Sequence, residues 1–239
     1  MSSNKKNRVK SIEMLSDKSP FIFVEAYKSL RTNLQFSSIS NQYKKIIVTS
    51  SVPGEGKSTV AINMAISLVD SGNKVLLIDC DLRKPMIQKY LHLNNLKGGG
   101  LTNILSNTEK TEQCIYFLSD TGLNVITSGP IPPNPAEILG SKKMEDMIKD
   151  LESKYDYIVF DTPPVSVVTD AAVLSKFCDG VILVIKQKFT DRGSAQLAKR
   201  TLENVGANII GCVLNQFKAG QSSKSYAYYN YKKYNYSYK

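Results

Sequence analysis

KKIIVTSSVPGEGKST, residues 44–59, decides how the rest of the chain is read. Lys45 to Ser50 is apolar and β-branched and predicts a buried strand, and Ser58 to Asp70 predicts a helix ended by Gly72, whose missing Cβ suits a left-handed cap. Between them Gly54 and Gly56 let the backbone curl, so that the N–H groups opening the helix converge on one point where a β-phosphate can sit. Lys57 can reach the β- and γ-oxygens, and Ser58 offers a hydroxyl to Mg²⁺. The candidate nucleotide-binding residues are therefore Pro53, Gly54, Glu55, Gly56, Lys57, Ser58 and Thr59. The strict form of this phosphate loop begins with glycine, and here Ser51 stands in that place.

Outward from this loop, apolar runs alternate with periodic polar segments. Strands are expected at Lys74 to Cys80, Leu123 to Thr127, Tyr157 to Asp161, Val181 to Ile185 and Ile209 to Asn215. Helices are expected at Lys142 to Lys154 and Thr190 to Val205, with a short one at Leu101 to Leu105 after the break Gly98 to Gly100. Gly129 and the prolines that follow it hold off another helix until about Ala136. This is the pattern of an α/β domain of P-loop NTPase type, a mostly parallel sheet flanked by helices, spanning 41–218. Residues 1–40 form an N-terminal segment whose helix, Glu25 to Leu34, puts Ala26, Leu30 and Leu34 on one face. Residues 219–239 are low-complexity and tyrosine-rich, with almost no aliphatic side chain to bury, and predict a tail that is disordered when free.

Three acids fall at predicted strand ends, the edge where parallel sheets bind ligands. Asp79 and Asp81 close VLLIDCD, and strand alternation places both carboxylates on one side, fit to hold Mg²⁺ and to accept a proton from an incoming hydroxyl. A solvated strand end capping the next turn is the plainer alternative. Asp161 closes YIVFD in the Walker B manner, an acid that holds Mg²⁺ directly or through water. Asn215 closes the last strand, where its amide can pair with an adenine edge or simply form a turn.

Composition narrows the field. The net charge of +10 sits at the ends: Lys5, Lys6, Arg8 and Lys10, then Lys218, Lys224, Lys232, Lys233 and Lys239, with no acid in either segment. The body keeps 22 basic against 21 acidic residues, which argues against a nucleic-acid-binding face on it. The four cysteines, Cys80, Cys114, Cys178 and Cys212, are scattered singly and read as reduced, mostly buried thiols. With His92 as the single histidine, a zinc site or a Ser-His hydrolase has little to draw on. No run approaches the roughly 18 apolar residues of a membrane span, and the basic N-terminus leads into no signal-like apolar region, so the chain is expected in the cytoplasm.

The tail carries Tyr226, Tyr228, Tyr229, Tyr231, Tyr234, Tyr236 and Tyr238. Alone, alternating Lys and Tyr would suit a sticky end or a single-strand nucleic-acid contact. Tethered beside a phosphate-transfer site, these phenols become candidate phosphoacceptors at high local concentration.

Taken together, the phosphate loop, the two-aspartate strand, the Asp161 strand, GPIPPNPAE at 129–137 and the terminal tyrosines resemble the bacterial tyrosine kinases that control capsule and exopolysaccharide synthesis, in their cytoplasmic Gram-positive form. The resemblance implies an ATP-dependent, Mg²⁺-requiring kinase that phosphorylates protein tyrosines, its own tail first and in trans. It implies that Lys57 and Ser58 bind phosphate and metal, that Asp79 and Asp81 bind metal and deprotonate the phenol, and that Asp161 is the Walker B acid. Glu25, Lys28 and Arg31 fall on that family's E-x-x-R-x-x-R helix, which joins subunits into a ring of octamer size. Lys28 replaces an arginine there and cannot grip a carboxylate at two points. A membrane-spanning modulator of the polysaccharide co-polymerase type is implied as activator, placing the kinase at the inner face of the membrane. The rivals are a ParA/MinD-like ATPase and a non-catalytic, ATP-gated assembly factor. The first carries a second loop lysine where Val52 stands here, and has no tyrosine tail.

Overall fold

The computed structural model describes residues 12–37, 42–93, 96 and 98–217. In chain order the elements are α1 (Phe21–Ser37), β1 (Lys45–Ser50), α2 (Lys57–Val69), β2 (Val75–Asp79), α3 (Ile87–Tyr90), α4 (Leu101–Leu105), β3 (Tyr116–Leu118), β4 (Leu123–Ile126), α5 (Pro135–Leu139), α6 (Lys142–Glu152), β5 (Tyr157–Asp161), α7 (Asp170–Ser175), β6 (Gly180–Lys186), α8 (Arg192–Asn204) and β7 (Ile209–Asn215). One seven-stranded sheet has the order β3-β4-β2-β5-β1-β6-β7. Every neighbouring pair is parallel except β3 with β4, which form an antiparallel edge.

Alternation along the central strands sends side chains to two cores. Ile47, Leu76, Ile78, Ile158, Phe160 and Leu183 face α4, α6, α7 and α8. Ile46, Val48, Leu77, Val159, Ile182 and Val184 face α1 and α2. Strands covered on both faces read as continuous apolar runs, which is why β1, β2, β5 and β6 stood out in the sequence. Each fully buried Ile, Leu or Val contributes about 1.5–3 kcal/mol.

The expected fold class holds, with local differences. α1 runs longer than Glu25 to Leu34, and its buried stripe is Tyr27 and Leu34 with Leu30 partly covered; Ala26 is exposed. Tyr27 makes the larger contact, so the packed face is rotated from the one expected. β3 was not foreseen, being three residues with Phe117 exposed, and neither was six-residue α7. Gly72 takes the left-handed conformation expected, with φ 89°. All four cysteines are free, and Cys80 and Cys114 are buried; Cys178 is partly exposed and Cys212 exposed, because β7 is an edge strand covered incompletely. The tail with its seven tyrosines, and most of the boundary at residue 40, lie outside the described residues.

The order β2-β5-β1 places three strand ends side by side at one edge of the sheet, bringing Asp79, Asp161 and the 51–56 loop together from segments far apart in sequence.

Candidate active site

The 51–56 turn is held in place by its own residues. Gly54 and Gly56 have φ 86° and 91°, the left-handed region that favours glycine. A Cβ on Gly56 would stand 2.1 Å from Asn215 Nδ2. Glu55 is fully buried, which a carboxylate tolerates only with partners: it accepts from the Val52 N–H at 2.8 Å and from the Thr190 hydroxyl. The Thr190 hydroxyl also accepts from the Lys186 N–H at 2.8 Å, so the end of β6 supports the turn. Asn215 Nδ2 donates to the Glu55 carbonyl at 2.8 Å, and its Oδ1 accepts from the Gln216 N–H at 2.8 Å. In this arrangement Asn215 braces the turn; reading an adenine edge would use its second amide hydrogen. No side chain caps the N-terminus of α2, which leaves first-turn N–H groups for a ligand.

Lys57 opens α2 and reaches across the strand ends. Its Nζ stands 2.9 Å from Asp81 Oδ2, 3.6 Å from Asp161 Oδ1, and donates to Ser58 Oγ at 3.2 Å. Burial alone would lower the pKa of this ammonium, but Asp161 and Asp81 outweigh burial and hold it above its ordinary value. The carboxyls move the other way from the usual salt-bridged aspartate. Burial raises Asp79 well above its ordinary range, Asp161 adds to that, and Lys57 opposes it. Burial likewise raises Asp161 against the pull of Lys57.

Asp79 and Asp81 both lie close enough to act on Lys57 but make different hydrogen bonds, Asp79 at the end of β2 and Asp81 in the loop beyond it. Asp79 accepts the N–H groups of Asp81 at 3.1 Å and Ile87 at 3.2 Å, bracing the loop beyond the strand. Asp81 turns one oxygen to Lys57 and takes the Lys84 N–H, 3.0 Å away, on the other. Asp161 is fully buried with neither oxygen hydrogen-bonded. A buried carboxylate held by one long ion pair is costly, and its two oxygens beside the Ser58 hydroxyl are what a hard divalent cation takes as ligands. Asp79, Asp81 and Asp161 all act on Lys57, an acid-rich setting that suits Mg²⁺. Among the described residues no cluster of three His, Cys, Asp or Glu is assembled to hold a metal unaided. Phosphate oxygens and water would have to complete the shell.

Thr190 and the pair Arg83–Asp170 were not singled out in the sequence. Arg83 Nε and Nη2 reach Asp170 Oδ2 and Oδ1 at 2.9 and 3.0 Å. Arg83 lay two residues past Asp81, a position that could have flagged it; nothing local marks Thr190.

On α1, Glu25 and Lys28 form an exposed ion pair of 2.9 Å within the helix. Arg31 is partly buried and donates to the Ser67 carbonyl of α2 at 2.7 Å. The helix thus spends Arg31 on its own chain.

The AAA domain family profile matches residues 43–209. The chain is 42% identical over 208 residues to the tyrosine-protein kinase YwqD of Bacillus subtilis (strain 168), covering 87% of this chain and 86% of that protein. Superposition on the crystal structure of the chimerical protein CapA2B2 gives a TM-score of 0.78 at 36% identity, over 84% of this chain and 87% of that one. The kinase domain of the Escherichia coli tyrosine kinase ETK gives 0.80 at 29% identity, over 92% and 87%. The septum site-determining protein MinD of Pyrococcus horikoshii, complexed with Mg-ADP, is more distant, with a TM-score of 0.62 at 25% identity over 74% and 72%.

Proposed function

Starting from the chain's membership of the bacterial tyrosine-protein kinases, which its 42% identity to YwqD over most of both proteins establishes, we propose how its residues carry the reaction and what the reaction serves. The chain is a tyrosine kinase on a P-loop fold. The observation that carries the residue assignment is the placement of Lys57 between Asp81 and Asp161 at the uncapped start of α2.

Lys57 and the first-turn N–H groups of α2 grip the β- and γ-phosphates of ATP, with Pro53 to Thr59 as the cradle and Asn215 at the adenine side. Ser58 and Asp161, with Asp81 or Asp79, hold Mg²⁺, which neutralises charge developing on the transferred group. A tyrosine phenol has a pKa near 10 and is neutral at pH 7, so Asp79 or Asp81 accepts its proton as the oxygen attacks the γ-phosphorus. The bond from that phosphorus to the bridging oxygen breaks, and ADP leaves with the electron pair.

Residues 41–218 form the kinase domain, and 219–239 supply Tyr226 to Tyr238 as acceptors in a neighbouring subunit's site. Residues 1–40 contribute the helix bearing Glu25, Lys28 and Arg31 to a homo-oligomeric ring. The names CapB and CpsD of further relatives support a role in capsule or exopolysaccharide synthesis, and the chimera CapA2B2 supports a partner protein as modulator. No helix among the described residues is long and apolar enough to cross a membrane, and attachment to the inner face through a membrane-spanning partner fits that.

A MinD-like ATPase function is favoured by no observation beyond the shared fold, since Val52 stands where that group's second lysine would be. Incubation of the full chain with ATP and Mg²⁺, followed by intact mass measurement, tests the assignment. Steps of about 80 Da on tyrosine are expected for the wild type and none for Lys57→Met. ATP turnover with unmodified tyrosines would refute it.

A further inference from the structure

A phosphate at Lys57 would compete with Asp81 for its ammonium, so a second contact that holds Asp81 in place matters for the reaction. The segment after β2 is largely self-contained: Asp79 accepts the Asp81 and Ile87 N–H groups, and Asp81 accepts that of Lys84. Among the described residues, three long-range polar contacts tie residues 80–86 to distant parts of the protein. They are the Cys80 N–H to the Asp161 carbonyl at 2.8 Å, Asp81 to Lys57, and Arg83 to Asp170. When Lys57 turns to a nucleotide, the Arg83–Asp170 pair is the remaining long-range side-chain tie, beside the local bond from the Asp81 N–H to Asp79.

Its far end is anchored. Asp170 opens α7 and is fully buried, while the Arg83 side chain is 40% exposed. The chain between Asp161 and α7 is pinned to β1: the Thr162 hydroxyl donates to the Val48 carbonyl at 3.1 Å, the Thr49 hydroxyl to Pro163 at 2.8 Å, and the Val165 N–H to Ser50 at 2.9 Å. A planar guanidinium held at two points to such an anchor resists both translation and rotation, which an ammonium at one point does not.

We propose that Arg83 is a positioning residue for phosphoryl transfer: its two-point ion pair with Asp170 spans the ends of β2 and β5 and sets where Asp81 stands once Lys57 has left it. The same strut serves whether Asp81 takes the proton or binds the metal. This rests on the assignment of Lys57 and Asp81 to the transfer.

The test measures initial rates of tyrosine phosphorylation against ATP concentration for full-length wild type, Arg83→Lys, Asp170→Asn and the double variant, with a thermal melt of each. Misplacing a reacting group by about 1 Å costs up to roughly 100-fold, so Arg83→Lys is expected to lose on the order of tenfold or more in kcat. Its KM for ATP changes less than its kcat, because Lys57 and the first-turn N–H groups of α2 still grip the phosphates. Asp170→Asn behaves alike, and the double variant is no slower than the worse single one, since both changes cut one strut. Unchanged kcat, a loss confined to KM, or losses that add would overturn the proposal. If Arg83→Lys does not fold, Asp170→Asn is judged by the same criteria; failure of both to fold makes the pair a stability element and overturns the proposal as well. An inactive wild-type chain would sink the underlying assignment instead.

Discussion

Asp161 is fully buried, and what favours its charged form is Lys57, 3.6 Å away, with the Ser58 hydroxyl beside it. Such a group is retained at the expense of stability, because the cost of desolvating it exceeds what Lys57 and Ser58 return. Asp161→Asn is therefore predicted to abolish tyrosine phosphorylation while raising the melting temperature of the nucleotide-free protein. The pH dependence follows from its raised pKa. A carboxyl whose folded pKa exceeds its unfolded one holds a proton more tightly when folded, so its contribution to stability is most favourable below the unfolded value, 3.8, and is lost as pH rises through the folded one. The stability advantage of Asp161→Asn over wild type should thus be largest at neutral pH and shrink on acidification. Denaturant melts at several pH values check this; an advantage that grows on acidification contradicts it. Gly56 makes a second test. Alanine there would need φ near 91° with its Cβ 2.1 Å from Asn215 Nδ2, a backbone strain of about 1–3 kcal/mol before the clash is relieved. Gly56→Ala should lose nucleotide binding in a titration, and wild-type affinity would contradict the brace.

At the level of elements, what could be read from the chain and what could not divide by sequence distance. β1, β2, β5 and β6 declare themselves as apolar runs, and β7 matches its expected bounds, because strand character is written in consecutive residues. The Gly98 to Gly100 break shows as a run of glycines, but its reason is distant: a Cβ on Gly100 would meet the Gly129 N at 2.3 Å, so the chain turns where backbone approaches backbone. β3 escapes because three residues carry too little alternation. α7 escapes because its start depends on Asp170 meeting Arg83, 87 positions away. The site shows the same division. Lys57, Ser58 and the acids are marked by strand ends, whereas the separate partners of Asp79 and Asp81, and the support of Glu55 by Thr190, arise only from packing. α1 supplies a prediction at this scale. Arg31 bonds α1 to α2 through the Ser67 carbonyl, so Arg31→Ala should lower stability by about 1.5–3 kcal/mol, the range for a hydrogen bond to a charged group. A chemical melt reads the loss. Oligomer size by light scattering then tells whether Arg31 also serves a neighbour: an unchanged assembly would restrict it to the α1–α2 contact.

The molecule as a whole joins a nearly neutral body to a basic, tyrosine-bearing end with five lysines and no acid from residue 218 onward. Each phosphate adds about −1.5 to −2, so about four or more reverse the sign of that end. Phosphorylated protein is predicted to leave a cation exchanger at markedly lower salt than the unmodified chain, and equal retention would mean that the acceptors lie elsewhere. The central claim, that one chain's Lys57 site phosphorylates another chain's terminal tyrosines, is tested most directly by mixing two variants with ATP and Mg²⁺. One is full-length Lys57→Met, which keeps the tyrosines and lacks the cation at the site; the other ends at residue 225 and keeps the site without the tyrosines. Phosphate mapped by mass spectrometry should fall on Tyr226 to Tyr238 of the Lys57→Met chain. A mixture that leaves those tyrosines bare, while the wild type alone becomes phosphorylated on them, would contradict transfer between chains.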